Sequence, residues 1–247
     1  MTKPSQKQKR THVRDAAVAA EATLETIRDA AYEDIKNRII TCEFKPGTYI
    51  NEAAVASLIG VGRTPVHQAL DRLRIEGMIE VIPRKGAIVR PLVLREVLHL
   101  VEVRAVNESY CTRLAAERAS EADIKFLAEI IERARKAIAT RDVRLMMTLD
   151  RDFHLGLAHA AGNNELTQLL KRLNERSLRF WFISFTAEHH SDFQKQHEMI
   201  LDAVALHDAD VAGRIMLEHI ESFRQSVTRH LSFLDQPALN HNSTVLS

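Results

Sequence analysis

The stretch over residues 52–74 constrains the fold most, because it predicts two short helices joined by a tight turn. The first helix places Val55 and Leu58 inward and ends at Gly60, where a residue without Cβ turns the chain at positive φ without strain. Pro65 suits the first turn of a second helix, since its missing N–H needs no partner there. An apolar stripe on that helix packs against the first: Val66, Ala69, Leu70 and Leu73. This is the pattern of a helix-turn-helix.

The second helix of this pair turns basic and amide side chains outward. Such groups suit contact with DNA bases and phosphates. We expect the DNA contacts from this helix to come from Arg63, Thr64, His67, Gln68 and Arg72. A plain helical hairpin with a solvated polar face is the alternative.

A basic turn between two short apolar runs follows this helix. Residues 79–82 and 87–89 read as strands, and Pro83-Arg84-Lys85-Gly86 joins them. A hairpin directly after a recognition helix is a wing. Arg84 and Lys85 would then lie where they can reach phosphate or the minor groove, which makes the helix-turn-helix interpretation more specific.

The N-terminal part of the chain resembles a known family. The match runs from Ala31-Tyr32-Glu33-Asp34-Ile35 through residues 45–52 and 60–66 to Gly86, and it resembles the winged-helix domain of the GntR family of bacterial transcription regulators. The resemblance implies that Arg63 and Thr64 contact operator DNA and that the wing at Gly86 assists. The sequence departs from the family pattern at Gly62, where serine is common, and at His67-Gln68, where arginine and glutamate are common.

Composition limits the remaining classes of protein. Aromatic residues make up 5% of the 247 residues and there are 8 glycines, which argues against an all-β fold. No apolar run approaches the roughly 20 residues that a membrane span needs, and the polar, basic N-terminus is not a secretory signal. The two isolated cysteines predict neither a disulfide framework nor a cysteine metal site. We therefore expect a cytoplasmic protein with no membrane contact.

From Leu94 onward the pattern is helical, and helix caps divide it into six segments. Antiparallel packing is the natural way to bury their apolar stripes. The chain is therefore predicted to be mostly α, with an N-terminal winged helix-turn-helix followed by an all-α antiparallel helical bundle. We expect a disordered leader over 1–22, the DNA-binding domain over 23–92, the helical effector-binding and dimerisation domain over 93–235, and a disordered tail over 236–247.

Three of the predicted helices carry histidines on apolar faces. Asp150 and His154 are four residues apart and share one helix face, while His197 and His219 lie on the apolar stripes of two further helices. A single buried histidine is more often a hydrogen-bonded core residue than a metal ligand. Together, however, one carboxylate and three imidazoles would point into one bundle core. A divalent metal would satisfy all four groups, with Zn²⁺, Ni²⁺, Mn²⁺ and Fe²⁺ each compatible.

A second resemblance covers this helical half. The residues 102–108, Asp150 with His154, Ala161-Gly162-Asn163, His197 and His219 resemble the FadR C-terminal (FCD) effector domain of GntR regulators. The resemblance implies that Asp150 and the three histidines coordinate a metal, and that Arg104 lies near it and holds the carboxylate of an effector. A place on a charged helix face is the alternative for Arg104. Six predicted helices favour the VanR-like subgroup over the seven-helix FadR-like one.

Together these features predict a transcription regulator, not an enzyme. We expect a homodimer on a near-palindromic double-stranded operator, controlled by a small organic acid at or near the metal. The alternative is a metal-dependent hydrolase or lyase that uses the same Asp/His site. A fatty-acyl effector without metal is less consistent with an intact set of four ligands.

Overall fold

The computed structural model describes residues 26–83, 86–184 and 190–231, and the chain divides into two units. The first unit contains the described residues up to Ile39 together with Glu43–Arg90, and the second contains Ile40–Cys42 and the described residues from Pro91 onward. The predicted leader over 1–22 and tail over 236–247 lie outside the described residues. The predicted class is confirmed, since a winged helix-turn-helix precedes an all-helical part.

The first unit combines three helices with a small sheet. Helix α1 spans 26–40 and is followed by β1 (Tyr49–Ile50), α2 (Glu52–Ile59), α3 (Arg63–Ile75), β2 (Ile79–Ile82) and β3 (Gly86–Val89). The strands are antiparallel in the order β1-β3-β2, with Tyr49 opposite Ile88 and Ile82 opposite Gly86. Apolar residues from all three helices and the sheet form its core, among them Tyr32, Ile35, Ile39, Val55, Val66, Leu70, Leu73 and Val89.

Local chemistry explains the turn between α2 and α3. The Asn51 side chain accepts hydrogen bonds from the first backbone N–H groups of α2, and Gly60 ends that helix at φ 71°. The prediction that Leu58 faces inward is wrong, because its side chain is 46% exposed. The inward position one turn after Val55 belongs to Ile59, which packs against the core.

Six helices lie among the described residues of the second unit. They are α4 (Leu94–Arg118), α5 (Glu121–Thr140), α6 (Val143–Ala160), α7 (Asn164–Ser184), α8 (His190–Ala205) and α9 (Ala209–Leu231). The predicted caps at Ser120, Asp142, Asn163 and Asp208 each accept a backbone N–H from the helix that follows. The cap predicted at Ser191 is wrong, because α8 already includes His190.

These helices bury one continuous core. Helix α4 packs along α9, α5 packs against α6 and α8, and α6 also contacts α4 and α7. Large side chains with no exposed surface to speak of include Leu127, Leu149, Phe153, Leu157, Leu170, Ile200 and Met216. Among the described helices, none has the length and apolarity that crossing a membrane requires.

Candidate functional site

The fold brings the four predicted metal ligands together. Asp150 and His154 lie on successive turns of α6, His197 lies on α8 and His219 on α9. One potential ligand atom from each residue can be chosen so that all four atoms lie within 4.8 Å of one another. The i, i+4 spacing on α6 and the packing of α8 against α9 therefore make a single cluster from distant parts of the sequence.

Two distances within the cluster are close to those between ligands of one ion. The Nε2 atoms of His197 and His219 lie 3.2 Å apart, and Nε2 of His197 lies 3.6 Å from Oδ1 of Asp150. Two nitrogen ligands at about 2.1 Å from one ion lie about 3.0–3.4 Å apart at bond angles of about 90–109°. The buried Nε2 of His154 has no hydrogen-bond partner. A shared cation would satisfy this nitrogen, which otherwise costs free energy by being buried alone.

Burial keeps His197 and His219 in the neutral form that can bind metal. Desolvation lowers the pKa of His197 and of His219 well below the ordinary value of 6.5, so both imidazoles are neutral at pH 7. Desolvation also raises the pKa of the Asp150 carboxyl, although positive charge nearby opposes this. Neutral imidazole and carboxylate are the states in which these side chains bind metals.

A buried ion pair lies behind His154. Nδ1 of His154 is 2.5 Å from Oε2 of Glu108, and the guanidinium of Arg104 donates to Oε1 of the same carboxylate at 2.6 Å. Burial alone would raise the pKa of Glu108, but the charges of Arg104 and His154 outweigh it and lower this pKa to about 2. The carboxylate therefore faces Nδ1 of His154, which leaves Nε2 as the nitrogen that could bind a metal.

A polar chain orients His219 in a similar way. Oε1 of Gln196 lies 3.1 Å from Nδ1 of His219, and the amide nitrogen of Gln196 donates to Ser222 Oγ at 3.1 Å. Ser222 Oγ in turn donates to the backbone carbonyl of Glu218. Neither Glu108 nor Gln196 had been given a role from the sequence. The available signals were the i, i+4 spacing of Arg104 and Glu108 and the position of Gln196 beside His197.

Arg104, the predicted effector-binding residue, lies beside the cluster, but its side chain already has intramolecular partners. It is 2% exposed, it pairs with Glu108, and its guanidinium carbon lies 5.4 Å from the centroid of the Phe223 ring. Its positive charge acts on Asp150, His197 and His219. The structure thus places a fixed cation beside the four ligands.

The predicted DNA-contacting residues lie mainly on α3. Arg63, Thr64, His67 and Gln68 are exposed, and Arg63 and Thr64 form the first turn of the helix. Among the described residues, none forms an ion pair with Arg63. The N-terminus of a helix offers free N–H groups and a positive dipole, which favours a phosphate there. Gly86 begins β3 at φ 91°, while Arg84 and Lys85 lie outside the described residues.

Two of the predicted DNA contacts have intramolecular partners. Nδ1 of His67 lies 3.0 Å from Glu52 of α2, and Nε2 lies 3.5 Å from Asp71. Hydrogen bonding to Glu52 raises the pKa of His67 above its ordinary value. Arg72 stacks on the Tyr32 ring of α1, with its guanidinium carbon 3.6 Å from the ring centroid, and pairs with Glu76. Arg72 therefore also fastens α3 to α1.

Comparison with known proteins identifies the two parts of the chain. Residues 27–89 match the model of the bacterial regulatory proteins of the gntR family, and residues 99–222 match the FCD domain model. The chain belongs to the GntR family. It is 30% identical to the Nta operon transcriptional regulator of Aminobacter aminovorans over 74% of this chain and 85% of that protein.

Further relatives agree with this assignment. The chain is 26% identical to the HTH-type transcriptional repressor RspR of Escherichia coli, over 81% of this chain and 89% of that protein. The solved structure of E. coli McbR/YncC has the same fold, with a TM-score of 0.75 at 20% identity over 83% of this chain and 98% of that one. The gntR match covers α1 to β3, and the FCD match includes all four residues of the cluster. This GntR protein is a DNA-binding transcription regulator.

Proposed function

We propose that this regulator senses a small carboxylate through a divalent metal held by Asp150, His154, His197 and His219. One observation carries the proposal: four ligand atoms from three helices lie within 4.8 Å of one another, and the buried Nε2 of His154 is unpartnered. Three nitrogens and one oxygen suit Zn²⁺, our first choice, and also Ni²⁺, Mn²⁺ or Fe²⁺. When bound, the metal would supply a Lewis acid for a carboxylate.

The surrounding residues support binding of an anion. Gln196 contacts Nδ1 of His219 and the Glu108 carboxylate lies against Nδ1 of His154, which in both histidines would leave Nε2 for the metal. The buried Arg104 adds positive potential at the cluster. In this proposal Arg104 favours the effector carboxylate by its charge while its Nε remains paired with Glu108.

We further propose that Arg63 and Thr64 make the main operator contacts, with His67 and Gln68 as secondary contacts. Arg63 and Thr64 lie at the exposed N-terminus of α3, where base edges and phosphates are both within reach of such side chains. Arg84, Lys85 and Gly86 of the wing would add phosphate or minor-groove contacts. Arg72 has a weaker claim because it stacks on Tyr32.

The proposed operator is near-palindromic and the protein is a homodimer on it. Helix α4 exposes apolar side chains at i, i+3 and i+7, namely Val103, Val106 and Tyr110, and Val106 is 71% exposed. The hydroxyl of Ser109 on α4 donates a hydrogen bond to the backbone carbonyl of Gly213 on α9. The exposed Leu217 lies one turn further along α9 and extends the apolar strip. A two-fold axis would pair this apolar strip with its own copy.

Effector binding would then shift the balance between two placements of the DNA-binding units, provided the effector binds one of them more tightly. We propose repression as the direction of control, as in the name of the relative RspR. The site of action would be the bacterial cytoplasm, where the operator DNA lies. A hydrolase or lyase is less favoured, because it would leave the N-terminal winged helix-turn-helix without a role.

The proposal is tested by metal content and thermal melting. The wild-type protein should purify with about one metal per chain, and the variant carrying both His154→Ala and His219→Ala should lose it. Replacing the exposed His159 on the same helix should have no effect. An acid at a hundred times its Kd should add about 2.7 kcal/mol to stability, and only when the metal is present. Undiminished metal in the double variant would refute the site.

A further inference from the structure

An apolar pocket opens beside the metal cluster. It lies among α5, α6, α7 and α8 and has a cavity volume of about 30 Å³. Most of its lining is aliphatic or aromatic, including Ile131, Ala134, Met146, Met147, Trp181 and Phe193. We call it the α5–α8 pocket.

The polar end of the α5–α8 pocket belongs to the metal cluster. Asp150 and His197 both line it. The third polar lining residue, Gln194, already donates its amide hydrogens to the Ile131 carbonyl and to Glu198. No cationic residue occurs in the described lining of this pocket. A ligand held at Asp150 and His197 would therefore extend its body along an apolar wall.

A second pocket nearby has a different chemistry. It lies between α8 and α9 and has a cavity volume of about 160 Å³. Its lining is mostly polar or charged and includes Gln196, Ser222, Gln225, Asp192 and Arg229. Within its described lining, none of the four cluster residues occurs. A polar effector that uses this larger pocket would meet Gln196 before it met the metal ligands.

We propose that the effector is a monocarboxylate with a short apolar body, which enters the α5–α8 pocket with its carboxylate toward the metal that Asp150 and His197 would help to hold. This inference rests on the metal-bound carboxylate effector proposed above and names its class. Each methylene buried against the pocket wall raises affinity roughly fourfold. A hydroxyl buried there without a hydrogen-bond partner lowers affinity by about 5- to 150-fold. A second carboxylate would be buried without a compensating charge, because the described pocket lining contains no cationic residue. Sugar acids and dicarboxylates are therefore disfavoured.

The cavity also limits the size of the body. A volume of about 30 Å³ accommodates only a few atoms until side chains move. Met146 and Met147 supply that movement, because an unbranched thioether side chain adopts several rotamers at low cost. Short aliphatic and single-ring acids fit this description, whereas a long acyl chain does not.

The test uses acids of matched size on the full-length, metal-loaded protein. Butyrate, threonate and succinate each have four carbons, and cyclohexanecarboxylate and quinate share one ring skeleton. Calorimetry should show butyrate at least tenfold tighter than threonate and succinate, and cyclohexanecarboxylate at least tenfold tighter than quinate. The inference would be overturned if threonate or succinate bound as tightly as butyrate, or if quinate bound as tightly as cyclohexanecarboxylate. If that binding still required the metal, the proposal of a metal-bound carboxylate effector would stand.

Failure of the underlying proposal has a different signature. If none of the five acids binds, or if they bind equally after chelation, the metal-bound carboxylate itself fails and the inference fails with it. A variant that fills the pocket, Ala134→Leu, should weaken the apolar acids at least fivefold with unchanged metal content. Lys136→Ala, on the exposed face of the same helix, is the control. Should Ala134→Leu not fold, Met147→Gln tests the same wall, and unchanged affinity in the folded variant would contradict the inference.

Discussion

Oε1 of Gln196 lies 3.1 Å from Nδ1 of His219, and the amide nitrogen of Gln196 is committed to Ser222. Because an amide oxygen only accepts hydrogen bonds, Nδ1 of His219 must carry the proton. The lone pair of His219 is then on Nε2, which faces Nε2 of His197 at 3.2 Å. A residue outside the proposed ligand set thus determines which nitrogen of His219 is available to a metal.

Replacing Gln196 by leucine should weaken metal binding without removing a ligand. Loss of an orienting hydrogen bond to a metal-bound histidine costs about 10- to 100-fold in affinity. Competition against a chromophoric chelator measures the change, and Lys195→Ala, on the exposed face of the same helix, is the control. An affinity for Gln196→Leu within twofold of the wild type would show that Gln196 does not orient His219.

The pair of Arg104 and Glu108 should stabilise the bundle only as a pair. Both side chains are at most 3% exposed, and removing one partner leaves the other charge buried, which costs about 3–5 kcal/mol. Urea unfolding of Arg104→Met should show a loss of this size. The double variant Arg104→Met with Glu108→Leu should recover part of it, because the unpaired charge is gone although Nδ1 of His154 loses its neighbour Glu108. A double variant no more stable than Arg104→Met would contradict this explanation.

The sequence predicts the proposed ligands of the cluster better than the residues that orient them. Asp150 and His154 are visible because four residues make one helical turn, and His197 and His219 because they interrupt apolar stripes. Gln196 looks like any polar residue on a helix surface until α9 is packed against α8. The role of Glu108 likewise depends on where α4 meets α6, which periodicity does not specify.

The helix-turn-helix shows the same limit on a smaller scale. Caps and glycines predicted its two helices, because these signals are local. The inward position on α2 was assigned to Leu58 although Ile59 occupies it, since three- and four-residue spacings both fit a short helix. The contact of His67 with Glu52, across the turn, and the stacking of Arg72 on Tyr32 arise only in the folded unit.

The pKa of His67 should lie above the ordinary histidine value of 6.5. Hydrogen bonding to Glu52 comes first among the causes of its raised pKa, followed by the charges of Glu52 and Asp71. A raised pKa means that the protonated form is favoured in the folded state. The stabilisation that protonated His67 contributes between α2 and α3 is therefore fully present below its ordinary pKa of 6.5 and is lost as the pH rises through the raised pKa.

An NMR titration of the His67 ring protons measures this directly. Glu52→Gln should return the pKa of His67 toward 6.5, whereas Glu33→Gln, at an exposed position in the same unit, should leave it unchanged. An identical titration curve in the wild type and Glu52→Gln would show that Glu52 is not the cause.

An acidic side chain in the exposed apolar strip of α4 should dissociate the proposed homodimer. Val106 is 71% exposed in one chain, so Val106→Asp leaves the chain's own core intact. Burying the new carboxylate against a second copy would be strongly unfavourable. Light scattering after gel filtration should show a dimer for the wild type and a monomer for Val106→Asp. Phe126→Asp, at an exposed apolar position on α5, is the control, and a dimer in both variants would place the interface elsewhere.

Arg63 and Arg72 lie on the same helix, but replacing them should have different effects on operator affinity and on stability. Arg63 has no ion-pair partner among the described residues, so Arg63→Ala should weaken operator binding by about 1–3 kcal/mol and leave stability unchanged. Arg72→Ala loses its contact with Tyr32, so it should lower stability by about 1 kcal/mol with a smaller loss of operator affinity.

Fluorescence anisotropy measures both operator affinities. The operator is first selected by the wild-type protein from random DNA, and the measurement is repeated over a salt series. A lower salt slope for Arg63→Ala indicates a phosphate contact, and an unchanged slope with lost sequence preference indicates a base contact. Equal operator affinity in Arg63→Ala and the wild type would remove α3 as the proposed reading helix.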